Sequence, residues 1–471
     1  ELDRYANRIA AALRHTFGVG HGDRVVLWAD TALDVVPLFA AVAKLGAVFA
    51  PLNARLGAEE AGKVAELARG TLLVTDASRA GEARAVAELA GIERCALLAG
   101  VAPKGGAASL VSLDYRDLPD PPSPMSEPDL VETDPHVVFF TSGSTGRPKG
   151  VVLSHRANWL RGFQGVFLHE PERTVCMFPL FHMAAFTLAL AAWQTRGEIC
   201  FAEPTARSLL DAVERRRANR LYGLPLIFKR ILEEDTNRWD LSSLKKLDTG
   251  TSATPVELVR EIKARFPHPA LGIYYGSTEV GLATCLVDGD VLRKPGSVGL
   301  PAVSVDVRLA EDGEICVRSP FLMDGYFEDL AATSEALRDG WFHTGDLGAV
   351  DEEGYLSVIG RKKEVLRTGG ESVSPAEVEA VLGDASGVDE VAVVGLPDPD
   401  WGEVVCAAVV AMPGSSVTLD GLRAHCEGRI ASFKQPRRIA RLTALPRTAA
   451  TAQVQRTLLV EEILARQLAE E

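Results

Sequence analysis

An α/β fold is predicted, with a large, multi-subdomain N-terminal part on parallel-type sheets and a small α+β tail, and three observations point to it. Short β-rich runs alternate with helical stretches from residue 24 onward. A proline- and acid-rich connection at 118–135 is followed by a fresh strand, and the pattern changes character near residue 364. "RVVLWAD" (24–30) and "AVFAPLN" (47–53) flank the helical stretch "LDVVPLFAAVAKLGA", and "TLLVTD" (71–76) follows another helical stretch. Strands separated by helices call for a parallel sheet covered on both faces. "LPDPPSPMSEPDLVETDP" reads as a surface connection, after which "HVVFFT" (136–141) restarts a strand. Beyond "GYLSVIGRKKEV" come the strands "EVAVVGLP" and "VVCAAVVAM", a helix near 419–430, the strand-like "RRIARLTAL" and a final helix.

The 471 residues leave room for two to four domains, each with its own core. Lysine and arginine number 50 against 64 acidic residues, a balance of −14 that disfavours nucleic acid or an anionic membrane as the main partner. There is no apolar run of about 18 residues, so no membrane span is expected, and no signal peptide is visible. The seven cysteines form no CxxC pair and read as reduced thiols of a cytoplasmic protein. The nine histidines show no HxxxH spacing, which argues against zinc.

"FFTSGSTGRPKG" (139–150) is the most informative stretch. A strand ends in Thr141 and Ser142, and Gly143, Ser144, Thr145 and Gly146 follow, with Lys149 just beyond. Glycines let backbone N–H groups turn toward an anion, hydroxyls add donors, and lysine adds charge. A flexible surface turn is the competing reading. It is not a Walker loop, because the Gly-Lys pair of that motif falls on Pro148-Lys149. "TSGSTGRPKG" resembles the signature loop of the adenylate-forming superfamily, which includes acyl-CoA synthetases, adenylation domains and beetle luciferases. The likeness runs over nearly the whole chain. It implies an N-terminal domain over 1–359, a hinge at 360–363 and a mobile C-terminal domain over 364–471. It also implies two half-reactions: an acid and ATP give acyl-AMP, then the acyl group passes to a thiol.

Further motifs recur in the family's order, and the resemblance assigns their roles. In "YYGSTEVG" (274–281), Tyr275 stacks on adenine, Gly276 and Ser277 line the nucleotide, Thr278 reaches the α-phosphate, and Glu279 with Thr145 holds Mg²⁺. A hard cation suits carboxylate and phosphate oxygens. "DTGTSATP" (248–255) resembles the segment lining the adenine and acyl pockets, with Thr251 and Ser252 in place of smaller residues. Asp346 of "FHTGDLG" binds the ribose diol by resemblance, although an Asp after Gly is by itself a common turn residue. In "GRKKEVLRTGGESVSPAEVE" (360–379), Arg361 contacts the ribose, Lys363 takes the hinge position, and Gly369 and Gly370 admit a pantetheine arm. A basic run such as "RKKE" otherwise reads as a solvated face. "FPLFHMAAF" (178–186) resembles the segment carrying the gate beside the acyl carboxylate. His182 is the candidate there, with a packed core histidine as the other reading. Phe181, His182, Met183, Phe186, Tyr222 and Gly250 are expected around the acyl group and suggest an apolar, aryl or polycyclic acid. Amino-acid-activating relatives carry an aspartate in this segment, and this one has none.

The departure lies at "TAQVQR" (451–456). The family's late Gly-Lys strip falls on Ala452 and Gln453, one residue of register aside, and no lysine follows Lys434. That lysine bridges the acyl carboxylate and the α-phosphate during adenylation. Its loss is expected to cost roughly 3–4 kcal/mol, about 10²–10³ in rate. Two explanations stay open: a natural specialist in thioesterification, or a substitution that traps a complex. The extra alanine favours the first. The expectation is an acyl-CoA ligase impaired in adenylation that uses ATP, Mg²⁺ and coenzyme A, and takes its adenylate in some settings from a partner synthetase. The rivals are a complete ligase using Lys434 or Arg447 as substitute cation, a stand-alone domain loading a carrier protein, and a nucleotide-binding pseudoenzyme.

Overall fold

The structure is a computed structural model that describes residues 1–100, 110–142, 148–163, 171–368, 371–399, 401–448 and 453–470, with Ser142, Arg367 and Ser372 described by backbone alone. The first helix, Leu2–Phe17, buries Ala6, Ile9, Ala10, Leu13 and Phe17. This is the 3–4 spacing of one helix face, and the helix stops at Gly18 in the left-handed conformation. The strand Arg24–Trp28 buries four consecutive residues, as a strand covered on both faces must.

Among the described residues, two large sheets carry the N-terminal part. In the first, eight strands are ordered Gly325–Tyr326, Pro148–Ser154, Pro135–Ser142, Val48–Pro51, Arg24–Trp28, Leu72–Thr75, Cys95–Leu97 and Val111–Ser112. The run from Pro135–Ser142 to Val111–Ser112 is parallel, and an antiparallel edge follows Ser142. The second sheet has seven strands. Glu198–Phe201, Arg173–Cys176, Arg220–Tyr222, Lys246–Gly250 and Ala270–Ser277 run parallel, and Gly281–Leu286 and Leu300–Pro301 turn back antiparallel. Ser142 and Ser277 therefore each end a strand where a parallel run gives way to an antiparallel return, at the carboxyl ends of strands, where α/β sheets bind ligands.

A third, five-stranded sheet over 306–361 is antiparallel throughout, which departs from the expected parallel type. The cause is local. The turn at 310–313, closed by Gly313 N–H donating to Ala310 O, links Asp306–Leu309 to Glu314–Arg318, too short a connection for a parallel crossover.

The tail is a six-stranded sheet centred on the hairpin Val388–Asp398 and Gly402–Ala411. Strand alternation sends Val393 and Val405 to a core under the helices Pro375–Leu382 and Leu419–Cys426. Val394 and Val404 go to a core under Arg456–Ala465. Buried residues of the main N-terminal cluster end at Leu356 and those of the tail begin at Leu366. Lys363 sits between them in the 3-10 turn Lys362–Glu364. Across this junction Ser374 Oγ donates to Ile359 O, and Lys229 Nζ meets Asp389 at 2.7 Å.

Candidate functional site

The strands Pro135–Ser142 and Pro148–Ser154 pair with Thr141 opposite Lys149 and Ser142 opposite Pro148. Gly143, Ser144, Thr145 and Gly146 lie outside the described residues. Lys149 Nζ stands 4.6 Å from the ring centre of Tyr326, whose hydroxyl donates to Glu279 Oε1 at 3.1 Å. The other Glu279 oxygen accepts from Ser277 Oγ at 2.7 Å. Burial and the Glu279 charge hold the Tyr326 hydroxyl well above its ordinary pKa, so it remains a donor. A carboxylate fixed by two donors keeps lone pairs for a cation. Among the described residues no group of three or more metal-ligating side chains exists. The Glu279 carboxylate, held by two hydroxyl donors, would suit a hard cation carried by phosphates.

Tyr275, Asp346 and Arg361 meet at one point. Tyr275 Oη donates to Asp346 Oδ2 at 2.7 Å, and Arg361 Nε donates to Asp346 Oδ1 at 3.1 Å. The last contact is set by strand register, because Asp346 and Arg361 are opposite each other in the hairpin of Trp341–Val350 with Leu356–Arg361. Burial raises the Asp346 carboxyl above its usual range, although Arg361 and Tyr275 pull it down.

Gly276 continues the strand Ala270–Ser277 beside these groups. At the next strand, a Cβ on Gly250 would lie 2.3 Å from Tyr274 O and 3.2 Å from Tyr222 Oη, so only glycine fits there. Thr251 follows with φ +64°, a costly conformation for a β-branched residue, and Ser252 is exposed. The hydroxyls of Thr249, Thr251 and Thr254 are buried with no hydrogen-bond partner among the described residues.

His182 caps the helix Met183–Gln194, its Nδ1 accepting from Ala184 N at 3.3 Å. That bond leaves the ring proton on Nε2. The His182 ring stacks on Phe178 with centroids 5.5 Å apart, Phe178 meets Tyr222 edge-on at 5.1 Å, and Tyr222 lies 5.9 Å from Tyr274. Phe181 and Met183 are half-buried next to them in sequence. Phe186 goes elsewhere. It packs against Phe39, Phe49 and Phe139 in the core beneath the first sheet, because one further helical turn carries it away from the Phe178–Tyr222 cluster.

Gln453 reaches across from the tail. Its Nε2 donates to Thr251 O at 3.1 Å, while its main chain pairs with Thr448. Lys434 is held by both oxygens of Glu377, and Arg447 meets Glu390 at 2.9 Å, so both expected substitute cations engage carboxylates of the tail. Gly369, Gly370 and Ala452 lie outside the described residues.

The family model for AMP-binding enzymes matches residues 1–327, and that for the AMP-binding enzyme C-terminal domain matches 377–451. This chain is an AMP-binding enzyme of the adenylate-forming superfamily. It is 35% identical to the indoleacetate–CoA ligase of Aromatoleum aromaticum over 95% of this chain and 90% of that one. Among solved structures, ATP-bound MatB from Rhodopseudomonas palustris superposes with a TM-score of 0.87 at 28% identity, covering 98% of this chain and 93% of that one. An anthranilate CoA ligase in complex with anthranoyl-AMP superposes at 0.86 and 25% identity, covering 99% and 92%.

In this AMP-binding enzyme Phe178 and Tyr274 stand inside quoted motifs that gave them no role, while Tyr326 and Arg161 stand in no motif. Tyr326 sits in "DGYFE", which reads as an ordinary turn aromatic. Beneath Tyr274, the carboxylate of Asp248, 2% exposed, takes the guanidinium of Arg220, which also meets Glu172 at 2.8 Å. This buried pair anchors the floor of the aromatic cluster.

The AMP-binding enzyme should also be acid-sensitive. Burial lowers the His182 pKa to about 4, lowers His136 well below its ordinary value, and lowers His155 despite Asp134. The unfolded chain takes protons on these rings from about pH 6.5, and the folded chain refuses them. Stability is therefore complete above about pH 6.5 and is lost as pH falls toward 4, with His182, half-buried, supplying at most about 3 kcal/mol. Denaturant melts between pH 8 and pH 4 should show this slope; a flat profile from 7 to 5 contradicts it.

Proposed function

We propose that this chain is an acyl-CoA ligase that works through an acyl-adenylate, takes an apolar ring-bearing acid, and is slow in making the adenylate but competent in passing it to coenzyme A. The observation that carries the finer reading is the Gln453 contact with Thr251 O: the tail delivers a neutral amide to the segment between the nucleotide and acyl regions.

In this reading, Tyr275 faces adenine, Asp346 and Arg361 hold the ribose, and Thr141 to Gly146 with Lys149 and Thr278 surround the phosphates. Glu279, held by Tyr326 and Ser277, with Thr145 would keep Mg²⁺, which offsets phosphate charge. The acyl group lies among Phe178, Phe181, Met183, Tyr222 and Gly250. His182 is neutral near pH 7, and its Nε2–H is the donor left to address the acyl carboxylate. The carboxylate and the α-phosphate are both anions, so their approach needs a fixed cation in a water-poor site. Gln453 has an N–H to offer but no charge.

Thioester formation asks less of this strip. The thiolate sulfur attacks the acyl carbon, the carbon–oxygen bond to AMP breaks, and AMP leaves as the anion. Residues 360–363 with Lys363 act as the hinge between the domains 1–359 and 364–471. Gly369 and Gly370 admit the pantetheine arm. An adenylate from a partner synthetase would bypass the slow step.

Calorimetry with AMP and Mg²⁺ tests the nucleotide reading. Wild type is expected to bind, and Asp346→Ala to weaken AMP about 10-fold or more through loss of a charge-assisted bond pair, with the melting temperature little changed. Equal binding by the two proteins would count against the ribose role.

A further inference from the structure

Arg161, on the helix His155–Phe163, is 2% exposed. Its guanidinium is spent on main-chain carbonyls. Nε donates to Phe321 O at 2.9 Å, one terminal nitrogen to Thr278 O at 2.8 Å, and the other to Glu279 O at 2.8 Å. Glu279 O also accepts from the Met323 N–H at 2.7 Å. The turn is shaped around this side chain. Gly281 has φ +71°, and a Cβ there would lie 3.2 Å from Arg161 Nε. Burial drags the Arg161 pKa down to about 9, against the pull of Glu279 and Asp324. A planar fork of fixed donors holds three carbonyls in one geometry, which a flexible ammonium does poorly.

The helix carrying Arg161 begins one residue after the strand Pro148–Ser154, the return strand of the phosphate loop. Asp324 Oδ2 accepts from the N–H of that strand's last residue, Ser154, at 2.6 Å. One buried side chain thus joins three segments far apart in sequence: the phosphate hairpin, the Thr278–Glu279 turn, and the stretch 321–326 that supplies Tyr326.

We propose that Arg161 is a positioning residue for the metal–nucleotide site. By holding the carbonyls of Thr278 and Glu279, it fixes the direction in which the Glu279 carboxylate meets Tyr326, Ser277 and an incoming metal–phosphate group. This rests on reading Thr278 and Glu279 as phosphate and metal residues. Groups that orient a metal ligand from behind typically contribute 10–100-fold to metal affinity or activity.

The test is calorimetry of ATP with Mg²⁺ and with a chelator, on wild type, Arg161→Met and Arg161→Lys, with melting temperatures alongside. Arg161→Met is expected to lose about 10–100-fold of the metal-dependent gain in ATP affinity while binding metal-free ATP nearly as wild type does. Arg161→Lys, which keeps the charge but not the fork, should fall between. A merely structural role lowers the melting temperature and weakens both arms equally, which overturns the proposal. If Arg161→Met does not fold, Arg161→Lys decides: a gain reduced several-fold supports the role, and an unchanged gain overturns it. A wild type that binds ATP with no metal-dependent gain overturns the metal role of Glu279 and the positioning role with it, and a wild type that binds no ATP overturns the nucleotide reading. A wild-type gain preserved in both variants overturns the positioning role alone.

Discussion

Glu279→Gln is expected to lower acid-dependent pyrophosphate release by about 10²–10³ while leaving thioester formation from a preformed adenylate nearly intact. The substitution is isosteric, and the amide still fits between the Tyr326 and Ser277 hydroxyls that hold the carboxylate at 3.1 and 2.7 Å. Only the charge with which Glu279 would hold a metal–phosphate group is removed, and thioester formation from a preformed adenylate would make no demand on it. The loss is best measured in a Gln453→Lys background, where the first half-reaction is expected to be faster. Equal losses in both half-reactions would place Glu279 in the shared scaffold rather than in adenylation.

Gln453→Lys is expected to raise pyrophosphate release by up to about 10²–10³, the size of one preorganised electrostatic contact. The Gln453 side chain already reaches Thr251 O at 3.1 Å, so an ammonium on a side chain of similar length needs no new docking of the tail. The recovery should be partial. Ala452 stands where a glycine is expected, and Thr251 keeps its strained φ of +64°. Arg447→Ala and Lys434→Ala should not lower the residual adenylation, since these side chains are engaged by Glu390 and Glu377. A fall in rate in either variant would assign it the missing charge.

How much of this was legible in the sequence depends on the range of the signal. Local period and turn chemistry announced the parallel strands at 24–28, 48–51 and 72–75 and the restart at 136. The antiparallel sheet over 306–361 was not foreseen, although Asp312-Gly313 was there to be read as a hairpin. Within the site, Tyr275, Asp346 and Arg361 each stand in a recurring motif, and the fold brings the three together. Arg161 and Tyr326 stand in none. Their contacts with Glu279 span 118 and 47 residues, and nothing local marks an arginine that will be buried against carbonyls. Phe186 marks the limit of a legible motif: the rings it packs against, Phe39, Phe49 and Phe139, stand on other elements.

The most direct measurement compares the two half-reactions in the unaltered protein. Synthetic adenylates of a panel of apolar, ring-bearing acids with coenzyme A identify an acid that the enzyme thioesterifies. The same acid with ATP and Mg²⁺ then gives the rate of pyrophosphate release, for wild type and for Gln453→Lys. Wild type is expected to make thioester from the adenylate readily, and to release pyrophosphate slower than the lysine variant by up to about 10²–10³. Pyrophosphate release by wild type as fast as by Gln453→Lys would show that another group supplies the charge and that the half-reactions are not split.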